Sequence, residues 1–552
     1  MAGPRTYRPG QAVGGDYSIT GTLPTLADVV AFKEGTAEFD HGYYRFVSHP
    51  RLRELEDVLK SRFHLRHCRL TESFEIALLE LLICLHRPGI QSRFVILKEK
   101  HAAPPFADTA FLPACEREGV SVHFIESADQ VPSDPGRDDA VIAVLRSADG
   151  RLPEPLPETP GVKFYVLGLG AQDAEHAGAV LSNADRVMAR LADQVKRRGP
   201  ILSARSADCL LGKGDGRGGL DAARRVEEAL CRLEGGSRAF LYASGMSAVT
   251  RVLDLLRRPG RSQVVAAGHL YNDTFMSLRL GPNVFLGVDE LHRLDGLVGD
   301  QTAAIFTESI TNPLSDVPDI EVLSRVARAH GVPLVVDNTI ATPENCRPFE
   351  LGADFVIHST TKYLNGRNDH GGGAVIVRDA EWARLLSDRQ AVLNDRMSSR
   401  EAETLEQNLG SLPARMCRFN ENALKVASFL AGNPGVQRVF FNGLRSHRSH
   451  ATAGRLLRGP GSVISFVLTR NSLEGLRALY DSPLPGIIKA PGLGSDKTLL
   501  CPYTLLTHYE DSDEVLDEIG LPRFLVRISV GCEEDITPVL DSLEEALKWP
   551  AE

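Results

Sequence analysis

Lys362 comes straight after Ser359, Thr360 and Thr361 at the end of an apolar run, in the stretch HSTTKYLNGRNDHGGGAVIV. A lysine at a strand end, partly withdrawn from water, has a weakened hold on its proton and can attack an aldehyde. The hydroxyls of Ser359 and Thr361 can donate to a phosphate. The glycines at 371–373 either bring backbone close to a ligand or simply turn the chain before AVIV. Upstream, VPLVVDNT ends an apolar run on Asp337, and ligands of open α/β sheets sit at the carboxyl ends of strands. Earlier still, FLYA passes through Ser244-Gly245-Met246 into the helical run SAVTRVLDLLRR. The unpaired N–H groups and dipole at such a helix start suit a phosphate.

Taken singly, each feature has a plain structural role: a solvated lysine, a turn-capping aspartate, a Ser-Gly helix cap. Together they meet the needs of pyridoxal 5'-phosphate (PLP). That cofactor requires a Schiff-base lysine, a carboxylate for the pyridinium nitrogen, and a helix N-terminus with hydroxyls for the phosphate.

The elements that must position these residues are legible in the apolar pattern. RAFLYA, QVVAA, AAIFTE, VPLVVD, DFVIHS and GGAVIV read as short strands, some separated by amphipathic stretches such as IEVLSRVARAHG. That alternation predicts an α/β fold with a mainly parallel sheet covered on both faces. An earlier series, RFVILK, VSVHFIE, AVIAVL and VKFYVLGL, forms an N-terminal α/β region. After about residue 390, SVISFVLTR, NSLEGLRALYD, FLVRISVG and a closing helix ITPVLDSLEEALKW predict a smaller α/β domain. We therefore expect three parts: 1–200, 201–390 with the PLP-binding large domain, and 391–552.

The first two parts look related. At an offset of 171 residues, Arg53-Glu54-Leu55-Glu56 falls on Arg224-Arg225-Val226-Glu227, Ser73 on Ser244, and Arg87-Pro88-Gly89 on Arg258-Pro259-Gly260. Both read as helix, strand, tight turn, helix, Pro-Gly. Phe74 stands opposite Gly245, where a large side chain would intrude on a phosphate, and no STTK-like lysine follows. The first copy reads as a degenerate large-domain half.

The bulk properties of the 552 residues narrow the function classes. A net charge of −10 implies no broad attraction to nucleic acid. No apolar run is long enough to span a bilayer, and the start MAGPRTYRPGQAVGG has no apolar signal core, which predicts a cytoplasmic protein. Nine cysteines without CxxC spacing argue against a zinc site or a disulfide framework. GDGRGG at 214–219 fits G-x-G-x-x-G but follows no convincing strand, so no dinucleotide site is expected.

SGMSA, ESITNP, VVDNTIATP, STTKYLNG and LVRISVG resemble the motifs of the Cys/Met-metabolism PLP enzymes of fold type I, across about residues 200 to 550. CPYTLLTHY, with GYYRFVSHP near the start, resembles the long fungal-type cystathionine γ-synthases and their bacterial relatives. The resemblance implies roles residue by residue. Lys362 would form the Schiff base and shuttle protons, and Asp337, followed by Thr339, would serve the pyridine nitrogen. Tyr271 in GHLYNDTF would stack on the ring. Gly245, Met246, Ser359 and Thr361 would hold the phosphate, with Asn312 near the phenolic oxygen. Arg527, with Asn312 and the Gly492 position, would grip the substrate carboxylate.

Two departures qualify this assignment. Family members carry a tyrosine and an arginine, ahead of an LE helix motif, that reach a neighbouring subunit's site. Here that place reads GKGDGRGG, with Arg217 but with Asp215 for the tyrosine, whereas the first copy carries Tyr43 and Arg45. We expect Tyr43 and Arg45 to supply the pair. Gly492 stands where serine is common, and Lys497 where many lyases have glutamate.

The expected activity is γ-replacement on an activated L-homoserine-type amino acid, as in cystathionine synthesis from an O-acyl-L-homoserine and L-cysteine. Its alternatives are another leaving group such as a sulfonium, another nucleophile, γ-elimination, aminotransfer, or a non-catalytic scaffold. The implied partners are a small amino-acid substrate and further copies of the chain, as homodimer or homotetramer.

Overall fold

The computed structural model describes residues 220–548, except 259, 280, 394, 395 and 510, together with short segments before them. Those segments are residues 25–27, 29, 60 and 81 and the backbone of six strands: β1 His67–Thr71, β2 Ser92–Leu97, β3 Val120–Ile125, β4 Ala140–Arg146, β5 Phe164–Gly170 and β6 His176–Ser182. Tyr43, Arg45, Phe74, Asp215 and Arg217 lie outside the described residues.

The central sheet has seven strands: β7 Arg238–Tyr242, β8 Gln263–Ala267, β9 Val284–Leu286, β10 Thr302–Glu308, β11 Leu334–Asp337, β12 Phe355–Ser359 and β13 Gly373–Val377. Their order is β7-β13-β12-β11-β10-β8-β9. The run from β12 to β9 is parallel, while β13 is antiparallel to both β12 and β7. Every residue of β10 is buried, as expected of a central parallel strand covered on both faces. One face packs Val226 and Leu230 of helix α1 (Leu220–Glu234) with Leu323 and Ala327 of the helix Ile320–His330. The other packs Phe306, Phe355 and Ile357 against Val249 and Val252 of helix α2, Gly245–Leu256. Burying each large apolar side chain contributes about 1.5–3 kcal/mol, so the two layers fix where the strand ends stand.

Beyond residue 390 a five-stranded sheet runs in the order β14-β15-β18-β17-β16: β14 Val436–Phe440, β15 Val463–Leu468, β16 Ile487–Lys489, β17 Thr498–Pro502 and β18 Val526–Ser529. Its core also takes in Leu26 and Val29, and the Leu26 N–H donates to Asp481 at 2.6 Å. Asp316, fully buried, follows β10, and Arg448 from the C-terminal part binds both its oxygens at 2.7 and 2.5 Å.

β1 to β6 form a separate sheet in the order β1-β6-β5-β4-β2-β3. There β6 is antiparallel to both β1 and β5, and the run from β5 to β3 is parallel. Among the described residues no helix is long and apolar enough to cross a membrane.

Candidate active site

The sequence-predicted residues converge at the carboxyl ends of the central strands. Gly245, Met246, Tyr271, Asn312, Asp337, Thr339, Ser359, Thr361, Lys362 and Arg527 all line one cavity.

Its anion end is built by β7 turning into α2. Ser244 adopts extended backbone and caps the helix, its hydroxyl accepting from the Ser247 N–H at 3.0 Å. Gly245 and Met246, the first residues of the helix, line the cavity, where helix-start N–H groups have no partner within the helix. Close packing demands glycine here: a Cβ on Gly245 would lie 2.7 Å from the Ser359 Cβ, and one on Gly373 would lie 2.1 Å from the Ser244 carbonyl oxygen. Ser359 is held from behind, its N–H donating to Thr339 Oγ1 at 2.8 Å. The Thr361 hydroxyl accepts from the Gly372 N–H at 3.2 Å.

Lys362 rides on a turn that begins at the end of β12. Its N–H donates to the Ser359 carbonyl at 3.2 Å, and its carbonyl accepts from Gly366 at 2.7 Å. Next to it, Tyr363 is fully buried with its hydroxyl 2.9 Å from Ser462 Oγ. Arg415 donates to the Tyr363 and Leu364 carbonyls at 3.0 and 2.8 Å. The lysine backbone is thus clamped from both sides.

Asp337 sits at the cavity wall and accepts from the Thr339 N–H at 2.9 Å. Burial raises its carboxyl above the usual range. Arg527, 4% exposed, donates to Asn312 Oδ1 at 3.1 Å and to the Gly492 carbonyl at 3.0 Å, and also to the Pro491 carbonyl. The Tyr503 ring centroid lies 5.1 Å from its guanidinium carbon. Gly492 therefore enters through its backbone, as an orienter of Arg527, and is not part of the cavity lining.

Two buried acids of the site region, Glu308 and Glu234, were not singled out from the sequence. Glu308, the last residue of β10, lines the cavity and accepts from the Tyr271 N–H. Burial first, then the charge of Asp337, pushes its carboxyl well above the usual range. It ends an apolar strand just as Asp337 does, so the same signal was available. Behind the site, fully buried Glu234 binds His358 Nε2 at 2.6 Å and the Asn338 amide at 2.8 Å. It thereby ties the end of α1 to the strand ends that carry Ser359 and Asp337.

Does this site fit PLP? The cavity lining includes an amine (Lys362), a carboxylate (Asp337) and a helix start (Gly245, Met246) with the hydroxyl residues Ser244, Ser359 and Thr361. Those are the three donor sets the cofactor needs. At this end Gly245 lines the cavity with no side chain of its own, and the packing of Ser359 against it leaves no room for one.

Comparison with known proteins agrees. The family model "Cys/Met metabolism PLP-dependent enzyme" matches residues 216–548. Cystathionine gamma-synthase of Mycobacterium leprae is 34% identical over 352 residues, 61% of this chain and 88% of that protein. Cystathionine beta-lyase of Lactococcus lactis subsp. cremoris is 32% identical over 339 residues, 60% and 87% respectively. Among solved structures, cystathionine gamma synthase from Xanthomonas oryzae pv. oryzae, in complex with aminoacrylate and cysteine, aligns with a TM-score of 0.55 at 31% identity, covering 60% of this chain and 86% of that one. With a lysine, an acid and a phosphate cradle gathered around one cavity, the chain belongs to the Cys/Met-metabolism PLP-dependent enzyme family and has a fold type I, α/β architecture.

Proposed function

We propose that the protein catalyses γ-replacement on an activated L-homoserine, joining L-cysteine to an O-acyl-L-homoserine to give cystathionine. The observation that carries this reading is the placement of Lys362, Asp337 and Arg527 on one cavity. When bound, PLP supplies an aldehyde that condenses with an amine and a ring that stores electrons.

The chain's own residues do the rest. Arg527 grips the substrate α-carboxylate with its planar fork, already oriented by Asn312 and Gly492. Asp337 would hold the proton on the pyridine nitrogen, and Tyr271, which lines the same cavity, would pack against the ring. Lys362 Nζ would be the group that takes the α-proton of the substrate and then a β-proton. The γ C–O bond would break and release the carboxylate, and the cysteine sulfur would form the new C–S bond; the thiol proton leaves with the released acid, and Lys362 would return the protons taken from the β and α carbons.

The cavity lining holds two cations among the described residues, Lys362 and Arg527, and the roles proposed above commit both of them elsewhere than the phosphate. A phosphate dianion among neutral donors calls for a positive charge from elsewhere. We assign that charge to Arg45, with Tyr43 beside it, reaching the site from the N-terminal region or across a subunit interface in a homodimer or homotetramer. Arg45→Ala then weakens PLP binding at least tenfold, while Arg217→Ala leaves it unchanged; the reverse pattern moves the role to Arg217.

The deciding experiment supplies the holoenzyme with O-succinyl- or O-acetyl-L-homoserine, with and without L-cysteine, and identifies products by mass spectrometry. Cysteine-dependent cystathionine supports γ-replacement. A 2-oxo acid without cystathionine replaces it with γ-elimination. If neither ester is consumed by protein that retains its cofactor, the leaving group is of another class, such as a sulfonium.

A further inference from the structure

The two large sheets of this chain share a plan. In the catalytic sheet the first strand, β7, pairs with the last, β13, and β13 is antiparallel to both its neighbours; at the far edge the order reverses, β10-β8-β9. The N-terminal sheet repeats both irregularities: β1 pairs with the last strand β6, β6 is antiparallel on both sides, and the far edge runs β4-β2-β3. The difference is one parallel strand fewer in the middle of the N-terminal sheet. The ladders coincide in sequence as well. β1 begins at His67 and β7 at Arg238, β2 at Ser92 and β8 at Gln263, and both pairs keep the 171-residue offset. An ordinary parallel α/β sheet has no reason to reproduce an antiparallel last strand inserted beside the first.

The chemistry is removed at each corresponding place. In the catalytic copy the connection between its last two strands, residues 360–372, carries Lys362; in the N-terminal copy that connection is the short AQDAE of 171–175, with no lysine. β10 and β11 end on Glu308 and Asp337, whereas β4, the strand left in their place, ends on Arg146. Where a Cβ on Gly245 would stand 2.7 Å from Ser359, the N-terminal sequence has Phe74.

We infer that residues 67–182 are a second copy of the catalytic sheet, retained as a fold without a cofactor site, so that each chain holds two large-domain sheets and one PLP. This goes beyond the reaction proposed above and does not depend on its substrate.

Two measurements on the full-length holoenzyme test it. Borohydride reduction followed by peptide mapping reads the ratio of pyridoxyl label on any lysine before residue 200 to that on Lys362. A ratio near zero, with all label lost in Lys362→Ala, is expected; a comparable second label overturns the cofactor-free assignment. Hydrogen–deuterium exchange of the same protein reads the fold. Slow exchange in peptides spanning the six strands is expected; rapid exchange throughout those strands overturns the copy itself.

Discussion

Glu308 and Asp337 stand in register on neighbouring parallel strands, and both carboxyls line the cavity. Two buried acids this close do not both ionise readily. On the role proposed for Asp337, opposite the cationic pyridinium, Glu308 is the acid expected to hold the proton, in line with its stronger upward shift. It also accepts the backbone N–H of Tyr271 and of Asn312, fastening the two loops that flank the ring position.

Glu308→Gln keeps acceptor oxygen and a neutral head group; Glu308→Ala removes the acceptor of the partly buried Tyr271 N–H and of the Asn312 N–H, each loss costing about 1–3 kcal/mol. We expect PLP affinity, from titration of the apoprotein, to change less than about threefold in the Gln variant. In the Ala variant it falls about ten- to a hundredfold. Equal damage in both would mean that the ionised carboxylate is required.

Gly245→Ala places a methyl 2.7 Å from the Ser359 Cβ. Overpacking of this kind costs about 1–3 kcal/mol, and the shift falls on the anion cradle. PLP affinity is expected to drop at least tenfold, with a smaller loss in the melting temperature of the apoprotein. A variant that binds PLP normally would remove Gly245 from the cradle.

Arg527→Lys keeps the charge but loses the fork held by Asn312 and Gly492. A charge-assisted hydrogen bond contributes about 1.5–3 kcal/mol, so KM for the amino-acid substrate should rise about ten- to a hundredfold. The cofactor absorbance should be unchanged. A fall in kcat alone would place Arg527 in the chemical step rather than in carboxylate binding.

Asp316 links stability to pH. Burial opposes its ionisation, but the hydrogen bonds from Arg448 and His269 prevail and hold it down to about 2 from 3.8. A depressed carboxyl pKa stabilises the fold above the unfolded value, and that contribution is lost as pH falls toward the folded one. At neutral pH this amounts to about 2 kcal/mol. Denaturation of Asp316→Asn against the parent should show a constant deficit above pH 5 that narrows below pH 4. A deficit independent of pH down to 3 would mean that the aspartate acts by shape alone.

How much of this was legible in advance follows from where each signal resides. Lys362 and Asp337 end apolar runs, and a strand end is visible in one dimension. Glu308 carries the same mark, but its importance comes from standing beside Asp337 in register, and register is a property of the sheet. Gly492 was read for a side chain it lacks, while its carbonyl orients Arg527. The helices Ser399–Leu409 and Leu412–Gly432 were not anticipated, because Gly410 and Pro413 interrupt their apolar spacing and their stability comes from packing. The repeat was traced from scattered identities; the strand order of the two sheets now supports it more firmly than those identities did.

The lysine, the acid and the cradle glycine all sit at or just past the ends of strands. A ladder hydrogen bond need not change for any of them to disappear. Substitutions in the connections of the N-terminal copy are therefore filtered by solubility and folding alone, while the same connections in the catalytic copy are filtered by turnover as well. Drift between relatives should be fast in the connections between β1 and β6, slow in those six strands, and slow throughout the second half.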